Sequence, residues 1–485
     1  MRCALAIALV ASFGGAGSAE HRTPNILLLV TDDQRPDTIG ALGNPHIKTP
    51  HLDELTKHGL VFTRATCAHP LCYPSRAELL TGCTGFRNGA YSAVKLNEGV
   101  PLLPRILREA GYHTWYVGKW HTAGRPSTVG YEETDGLYAG GGKADDSYVD
   151  FRGRPATGYR GSVFQTDDRK LFLEKGVGLT PNISAEFSDA AIRLLGKKQP
   201  DKPFFLHVNF TAPHDPRIWP TEAPRVDTGV NRPDHGPLKY QSLYNPAKLP
   251  LPANFRPEHP FDHGNARGRD EVLLPFPRTE DDVRQELACY YAVITHLDAQ
   301  IGRILKALDD MGQRENTIII FTSDHGLAIG SHGLVGKQNM YEHTINVPLI
   351  IAGRGIPAGK QTTAQCYLRD LMPTICELAG VKLDQAIDAK SLSGLFRDPA
   401  AEIYPFIVGY FQDSQRMIRE GRWKLNWYPK IDRLQLFNLQ DDPHELSDLS
   451  AEPQLRERVA ALRAKLTGWL VGQGDPLVTM LAPAP

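Results

Sequence analysis

With 485 residues, the chain has room for one large domain and a smaller one. Its 41% hydrophobic and 22% charged residues are the mix of a soluble globular protein. The 54 Lys and Arg nearly balance the 55 Asp and Glu, which excludes a bulk basic surface for nucleic acid and an acidic tail, so any anion recognition must be local.

The first residues read as a signal peptide. Arg2 gives the positive start, residues 3–13 form an apolar run too short to span a bilayer, and Gly17-Ser18-Ala19 offers cleavage after Ala19. This predicts a leader over 1–19 and an exported protein, periplasmic or secreted. No later run reads as a membrane span, and Glu20 after the cleavage point argues against a lipoprotein cysteine. Removal of the leader leaves Cys67, Cys72, Cys83, Cys289, Cys366 and Cys376. These are too few for a disulfide scaffold, with room for one or two bridges whose pairing is open.

Beyond the leader, apolar strands alternate with helices, the pattern of an α/β fold with a mostly parallel sheet. Residues 25–30 (NILLLV) are a continuous apolar run, as in a buried strand, ending at Asp32-Asp33. Helices are predicted over 50–59, 75–82 (after Pro74) and 101–110. Residues 112–117 form a strand that runs into Gly118-Lys119-Trp120-His121. A helix over 184–197 precedes the strand 203–210, which leads to Pro213-His214. A long helix over 280–312 precedes the strand 316–322, which ends at Asp324-His325. Residues 122–180 and 215–279 show little periodicity and read as binding loops or lids. From about residue 400 the texture changes to short strands (404–409, 415–419, 422–428, 432–438) and a helix over 453–472. The expected domains are 20–395, catalytic, and 396–485, a smaller antiparallel sheet with a helix.

Four polar clusters thus follow four apolar strands, and ligands of open α/β sheets bind beyond the carboxyl ends of strands. Asp32-Asp33 alone fits a solvated turn as well as a cation. Asp324-His325 repeats the arrangement, and two acidic strand ends on one edge favour a cation. Hard oxygen donors select Ca²⁺ or Mg²⁺ over zinc. Lys119, His121, His214 and Lys337 taken singly suit ordinary surface or loop positions. Together they make a cationic ring around a metal, which is what a tetrahedral anion needs.

The run Cys72-Tyr73-Pro74-Ser75-Arg76-Ala77-Glu78-Leu79-Leu80-Thr81-Gly82 closely resembles the signature of type I sulfatases, in the alkaline phosphatase superfamily. The resemblance extends over most of the chain. Asp32-Asp33, Gly118-Lys119-Trp120-His121, Pro213-His214, Ser323-Asp324-His325-Gly326 and Lys337 stand in the family's order. Arg422-Trp423-Lys424, Leu436-Phe437-Asn438-Leu439 and Asp442-Pro443-His444-Glu445-Leu446 look like its small domain.

The resemblance implies an alkaline phosphatase-like fold and a sulfuric ester hydrolase. It implies that Cys72 is oxidised to formylglycine by a formylglycine-generating or anaerobic sulfatase-maturating enzyme, which reads Pro74 and Arg76. It implies one metal, usually Ca²⁺ ahead of Mg²⁺, on Asp32, Asp33, Asp324, His325 and residue 72. In that scheme a hydrated aldehyde attacks sulfur, Asp324 takes its proton, and Arg76, Lys119 and Lys337 offset sulfate charge. His214 and Lys337 serve the leaving oxygen, and His121 helps expel sulfate. The run 333–343 resembles carbohydrate-acting members, which implies a sulfated polysaccharide or oligosaccharide substrate. Arg217, His263 and the 122–180 loop are candidate sugar contacts. The competing readings are a phosphatase or phosphonate monoester hydrolase of the same superfamily, and a dead scaffold that only binds sulfated glycans. Intact Cys72, Arg76, Lys119, His121, His214 and Lys337 speak against the last.

Overall fold

Strand β1 (Asn25–Thr31) is buried at every position, as its unbroken apolar run requires of a strand covered on both faces. The structure, a computed structural model, describes residues 23–143, 150–153, 158–220 and 239–477, so the expected leader lies outside the described residues. The strands that follow are β2 (Gly59–Phe62), β3 (Ala65–Thr66), β4 (His113–Lys119), β5 (Glu133–Gly140), β6 (Ser162–Gln165), β7 (Phe204–Asn209), β8 (Thr317–Ser323), β9 (Leu349–Ala352), β10 (Lys360–Thr362) and β11 (Cys366–Tyr367). Nine of them form one sheet in the order β10-β2-β9-β8-β1-β7-β4-β5-β6, with β3 and β11 paired apart. From β8 to β5 every neighbour is parallel. Strands β9 and β6 run antiparallel to their neighbours.

Alternate residues of β1 feed two cores, as the strand period demands. Ile26, Leu28 and Val30 pack with Leu79, Leu80, Leu103 and Leu107 on one face. Leu27 and Leu29 pack on the other with Phe187, Ala191 and Leu194 of the helix Ile183–Leu195 and with Leu297, Ile301 and Ile304 of the helix Glu280–Asp310. The long helix begins where Thr279 Oγ1 accepts from Asp282 N, with three acids in its first turn.

The decisive consequence is positional. Strands β8, β1, β7 and β4 are immediate neighbours, so the four polar clusters emerge together at one edge. Gly118 makes this geometry possible, since it has φ +99° and a Cβ there would lie 1.9 Å from the Asn209 carbonyl oxygen.

A separate antiparallel sheet holds β12 (Phe406–Phe411), β13 (Gln415–Glu420), β14 (Trp423–Tyr428) and β15 (Arg433–Asn438) in order. The helix Arg456–Gly472 covers it, Leu462, Leu466 and Leu470 meeting Val408, Ile418, Leu425 and Leu436. Buried polar pairs bind the two sheets together. Glu78 accepts from Arg369 at 2.9 Å and from Tyr410, and Gln415 donates to the Gln338 carbonyl at 2.9 Å.

Three expectations need correction. The helix placed after Pro74 spans Cys72–Thr81, because proline is tolerated in a first turn whose N–H groups lack intrahelical partners. The irregular stretch 122–180 contains β5 and β6, obscured in sequence by glycines and by a register shift of β5 against β4 at Val117/Gly118. The six described cysteines are all free and buried, so no bridge forms among the described residues. No described helix is long and apolar enough to cross a membrane.

Candidate active site

Cys72 is the first residue of a helix whose ten residues are all buried. Leu71 precedes it in extended conformation with no side-chain cap, so the positive end of the helix faces the site. Cys72 Sγ lies 3.3 Å from Asp32 Oδ1, 3.3 Å from His325 Nε2 and 3.7 Å from Lys337 Nζ.

Asp32 and Asp33 are 0% exposed, just beyond β1. Asp33 has φ +71°, a strained conformation that brings both carboxylates to the same centre. His325 Nδ1 is 3.2 Å from Asp33 Oδ1, and Asp32, Asp33, Cys72 and His325 offer donor atoms within 4.8 Å of one another. Asp324 stands beside this group rather than within it. Its Oδ2 meets Arg76 Nε at 3.0 Å, and its Oδ1 accepts from the backbone N–H of His325 at 2.9 Å. Burial pushes the Asp33 carboxyl well above its ordinary range, with Lys337 opposing the shift. Burial disfavours the Asp32 anion too, but Lys119, His214 and Arg76 outweigh it and hold Asp32 well below that range.

Three buried cations surround the acids. Lys119 donates to Asp32, Lys337 to Asp33 at 2.9 Å, and Arg76 pairs with Asp324 at 2.8 Å. Arg76, Lys119 and Lys337 are therefore each paired with one of Asp324, Asp32 and Asp33, so much of the ring's positive charge is already committed before an anion enters. A divalent cation on the oxygen-rich acid cluster would add positive charge for an anion, and the donor set fits such an ion.

His214 Nε2 accepts from Lys337 at 2.7 Å while its Nδ1 donates to the Asp215 carbonyl at 2.5 Å, a pattern consistent with one neutral tautomer. Burial and then Lys337 push its imidazole well below the ordinary value. His121 stands exposed at the mouth, its ring 6.4 Å from that of Tyr73. The structure thus brings together Asp32, Asp33, Cys72, Arg76, Lys119, His214, Asp324, His325 and Lys337, with His121 at the rim.

The two candidate sugar contacts turn inward instead. Arg217 is 2% exposed, pairs with Glu286 at 2.8 Å and lies over the Tyr290 ring. His263 is 2% exposed and contacts Gln415 at 3.1 Å. A buried cation needs its carboxylate, which takes Arg217 away from substrate. Two further residues reach the centre without any motif to announce them. Tyr159 donates to Asp32, and Asn209 at the end of β7 accepts from Arg76. The single sequence signal for Asn209 is its place at the end of an apolar strand.

Comparison with known proteins fits this geometry. Residues 24–381 match the sulfatase family, and residues 330–470 match the N-sulphoglucosamine sulphohydrolase C-terminal family. An arylsulfatase of Clostridium perfringens is 30% identical over 487 residues, covering 93% of this chain and 95% of the relative. An ulvan-active sulfatase of Formosa agariphila is 28% identical, covering 94% of this chain and 83% of the relative. The solved structure of BT4656 with its substrate D-glucosamine-2-N,6-O-disulfate superposes with a TM-score of 0.72 at 22% identity, covering 94% of this chain and 99% of that one. Cys72, the acid cluster around it and its ring of cations are thus carried by a chain that belongs to the sulfatase family of sulfuric ester hydrolases.

Proposed function

We propose that this sulfatase is exported and removes sulfate from a sulfated carbohydrate, with Cys72 converted to formylglycine and one Ca²⁺ beside it. The observation that carries the reading is the setting of Cys72 Sγ. It sits at a buried helix start, 3.3 Å from both Asp32 Oδ1 and His325 Nε2, inside a ring of cations. A packing thiol would have apolar neighbours.

Hydrated formylglycine at residue 72 would supply one hydroxyl as nucleophile and a second whose deprotonation would release sulfate and restore the aldehyde, without attack of water on sulfur. Asp32, Asp33, His325 and residue 72 would hold the ion, with Asp324 Oδ1 beside them as a further oxygen donor, and the ion would add positive charge for the sulfate. Arg76, Lys119 and Lys337 bind the sulfate oxygens. Asp324, gripped by Arg76, accepts the proton of the attacking group. Lys337, 3.7 Å from Cys72 Sγ, gives a proton to the leaving oxygen, and His214 Nε2 orients its ammonium at 2.7 Å. His121 takes the second proton at the mouth.

The carbohydrate assignment is supported by the ulvan-active relative and by the 333–343 run, and export by the leader pattern. Pro74 and Arg76 supply the positions that a maturating enzyme reads. The test is enzyme co-expressed with such a maturating enzyme, a panel of sulfated oligosaccharides, and matched aryl sulfate and phosphate esters. Sulfate release from a glycan and an aldehyde mass at residue 72 are expected. An intact thiol in fully active enzyme would remove formylglycine, and turnover limited to aryl sulfates would remove the carbohydrate. Faster turnover of the phosphate ester would move the activity to phosphomonoesters. For export, the protein should appear outside the cytoplasm with Glu20 as its first residue.

A further inference from the structure

Tyr159 belongs to no strand, helix or motif, yet its side chain ends inside the reacting centre. Its hydroxyl donates to Asp32 Oδ2, the oxygen that also takes Lys119. The other oxygen of that carboxylate, Oδ1, faces Cys72 Sγ at 3.3 Å. The Tyr159 ring stands edge-on to His214 with centroids 4.7 Å apart, and Lys119 Nζ lies 4.9 Å from its centre. One side chain therefore touches a metal-ligand candidate, a cation of the sulfate pocket and the leaving-side imidazole.

The backbone is built to put it there. Tyr159 has φ +57°, a left-handed conformation that is an outlier for a bulky side chain. Its carbonyl closes a turn with Ser162 N at 2.8 Å. Gly158 passes so close to the turn after His214 that a Cβ would lie 2.5 Å from the Asp215 carbonyl oxygen. Strain of this kind persists where the surroundings enforce it, and it gathers at functional sites.

We infer that Tyr159 is a positioning residue: its hydroxyl selects the Asp32 oxygen presented to the cation and to residue 72, and its ring fixes His214 and Lys119. A carboxylate with both oxygens unhindered rotates between equivalent poses. Two donors on Oδ2 remove that freedom and leave Oδ1 for the cation. The ring excludes the alternative rotamers that the small space beside His214 would otherwise permit. The inference rests on the calcium reading above.

The test compares Tyr159→Phe and Tyr159→Leu with wild type, using chelator-treated matured enzyme, calorimetric titration with Ca²⁺ in the absence of substrate, and kinetics at saturating Ca²⁺. Tyr159→Phe is expected to weaken Ca²⁺ binding about tenfold or more, the usual effect of losing an outer-shell partner, with kcat restored once Ca²⁺ saturates. Tyr159→Leu is expected to keep a depressed kcat even at saturation, since the wall beside His214 is gone. Circular dichroism of both metal-free variants should match wild type. Unchanged Ca²⁺ affinity in Tyr159→Phe would overturn the role of the hydroxyl, and wild-type kcat in Tyr159→Leu would overturn that of the ring. A wild type that turns over sulfate but binds no Ca²⁺ would overturn the metal reading and the hydroxyl role with it, leaving the ring to be judged on kcat.

Discussion

Arg76 sets two nitrogens on one oxygen of Asp324, Nε at 3.0 Å and Nη2 at 2.8 Å from Oδ2. Oδ1 is left for the backbone N–H groups of Asp33 at 3.3 Å and His325 at 2.9 Å. Arg76 stands four residues after Cys72, one turn along the same helix. Its guanidinium therefore ties the Cys72 helix to the end of β8, and a change at Arg76 disturbs both at once. Arg76→Lys replaces a planar fork with a point charge and cannot reproduce these contacts. We expect kcat/KM to fall about 10²- to 10³-fold, the range seen for loss of one preorganised donor. Sulfate release kinetics with circular dichroism as a folding control measure this, and a loss under tenfold would refute the role.

Much of this was legible in the sequence. The run of β1 announced a buried strand, and the acids and cations beyond four strands announced one shared edge. Asn209 and Tyr159 were not legible, because they meet their partners across 133 and 127 residues of chain. No local pattern encodes contacts of that span. Arg217 shows the converse: beside a motif histidine it resembles a substrate contact, and only the fold reveals Glu286 beneath it.

Asn209 carries a second prediction. Its Oδ1 accepts from Arg76, and its Nδ2 reaches Tyr116 OH at 2.8 Å and His207 Nε2 at 3.0 Å. His207 Nδ1 in turn meets Tyr131 OH at 2.7 Å, and Tyr116 donates to the Lys119 carbonyl. The chain links Arg76 with the strand end that bears Lys119. Asn209→Leu leaves an Arg76 donor and the His207 Nε2 acceptor without that partner and should cost about 1–3 kcal/mol of stability. It should also lower kcat more than tenfold at a temperature where the variant stays folded, and denaturant unfolding with saturating kinetics would separate the two effects.

Ligand removal gives a third. Asp32, Asp33 and Asp324 crowd three carboxylates into one buried site, paired with Lys119, Lys337 and Arg76, and a divalent ion on them would relieve their mutual repulsion. Added Ca²⁺ should raise the melting temperature of chelated enzyme and restore activity. At 100 times Kd the stabilisation is about 2.7 kcal/mol. Asp33→Asn should abolish the dependence. A melting temperature indifferent to Ca²⁺ in wild type would count against a bound ion.

The joint between the sheets yields a fourth. Glu78 is 3% exposed, accepts from Gly85 N at 3.2 Å and Arg369 at 2.9 Å, and receives the Tyr410 hydroxyl of β12. Glu78→Gln keeps the shape but leaves the Arg369 charge buried without its partner. Loss of about 3–5 kcal/mol is expected. Because Glu78 touches no reacting group, kcat of the folded fraction should stay near wild type, which distinguishes it from Arg76.

The thiols supply the last prediction, which joins fold to chemistry. Cys67, Cys72, Cys83, Cys289, Cys366 and Cys376 are free and buried. Burial pushes the Cys83 thiol up to about 11 and that of Cys376 up to about 12, and those of Cys67, Cys289 and Cys366 rise well above their ordinary value. Neutral, covered thiols react slowly, so these five should resist a thiol reagent near neutral pH in the native protein. Denatured protein without its leader should give six thiols when Cys72 is unconverted and five when it is converted, with the same count before and after reduction. Across preparations of different maturation, specific activity should rise in proportion to the missing thiol. Full activity with six thiols would mean that the nucleophile is not made from Cys72, and extra thiols on reduction would mean that the oxidised protein carries a bridge this fold does not contain.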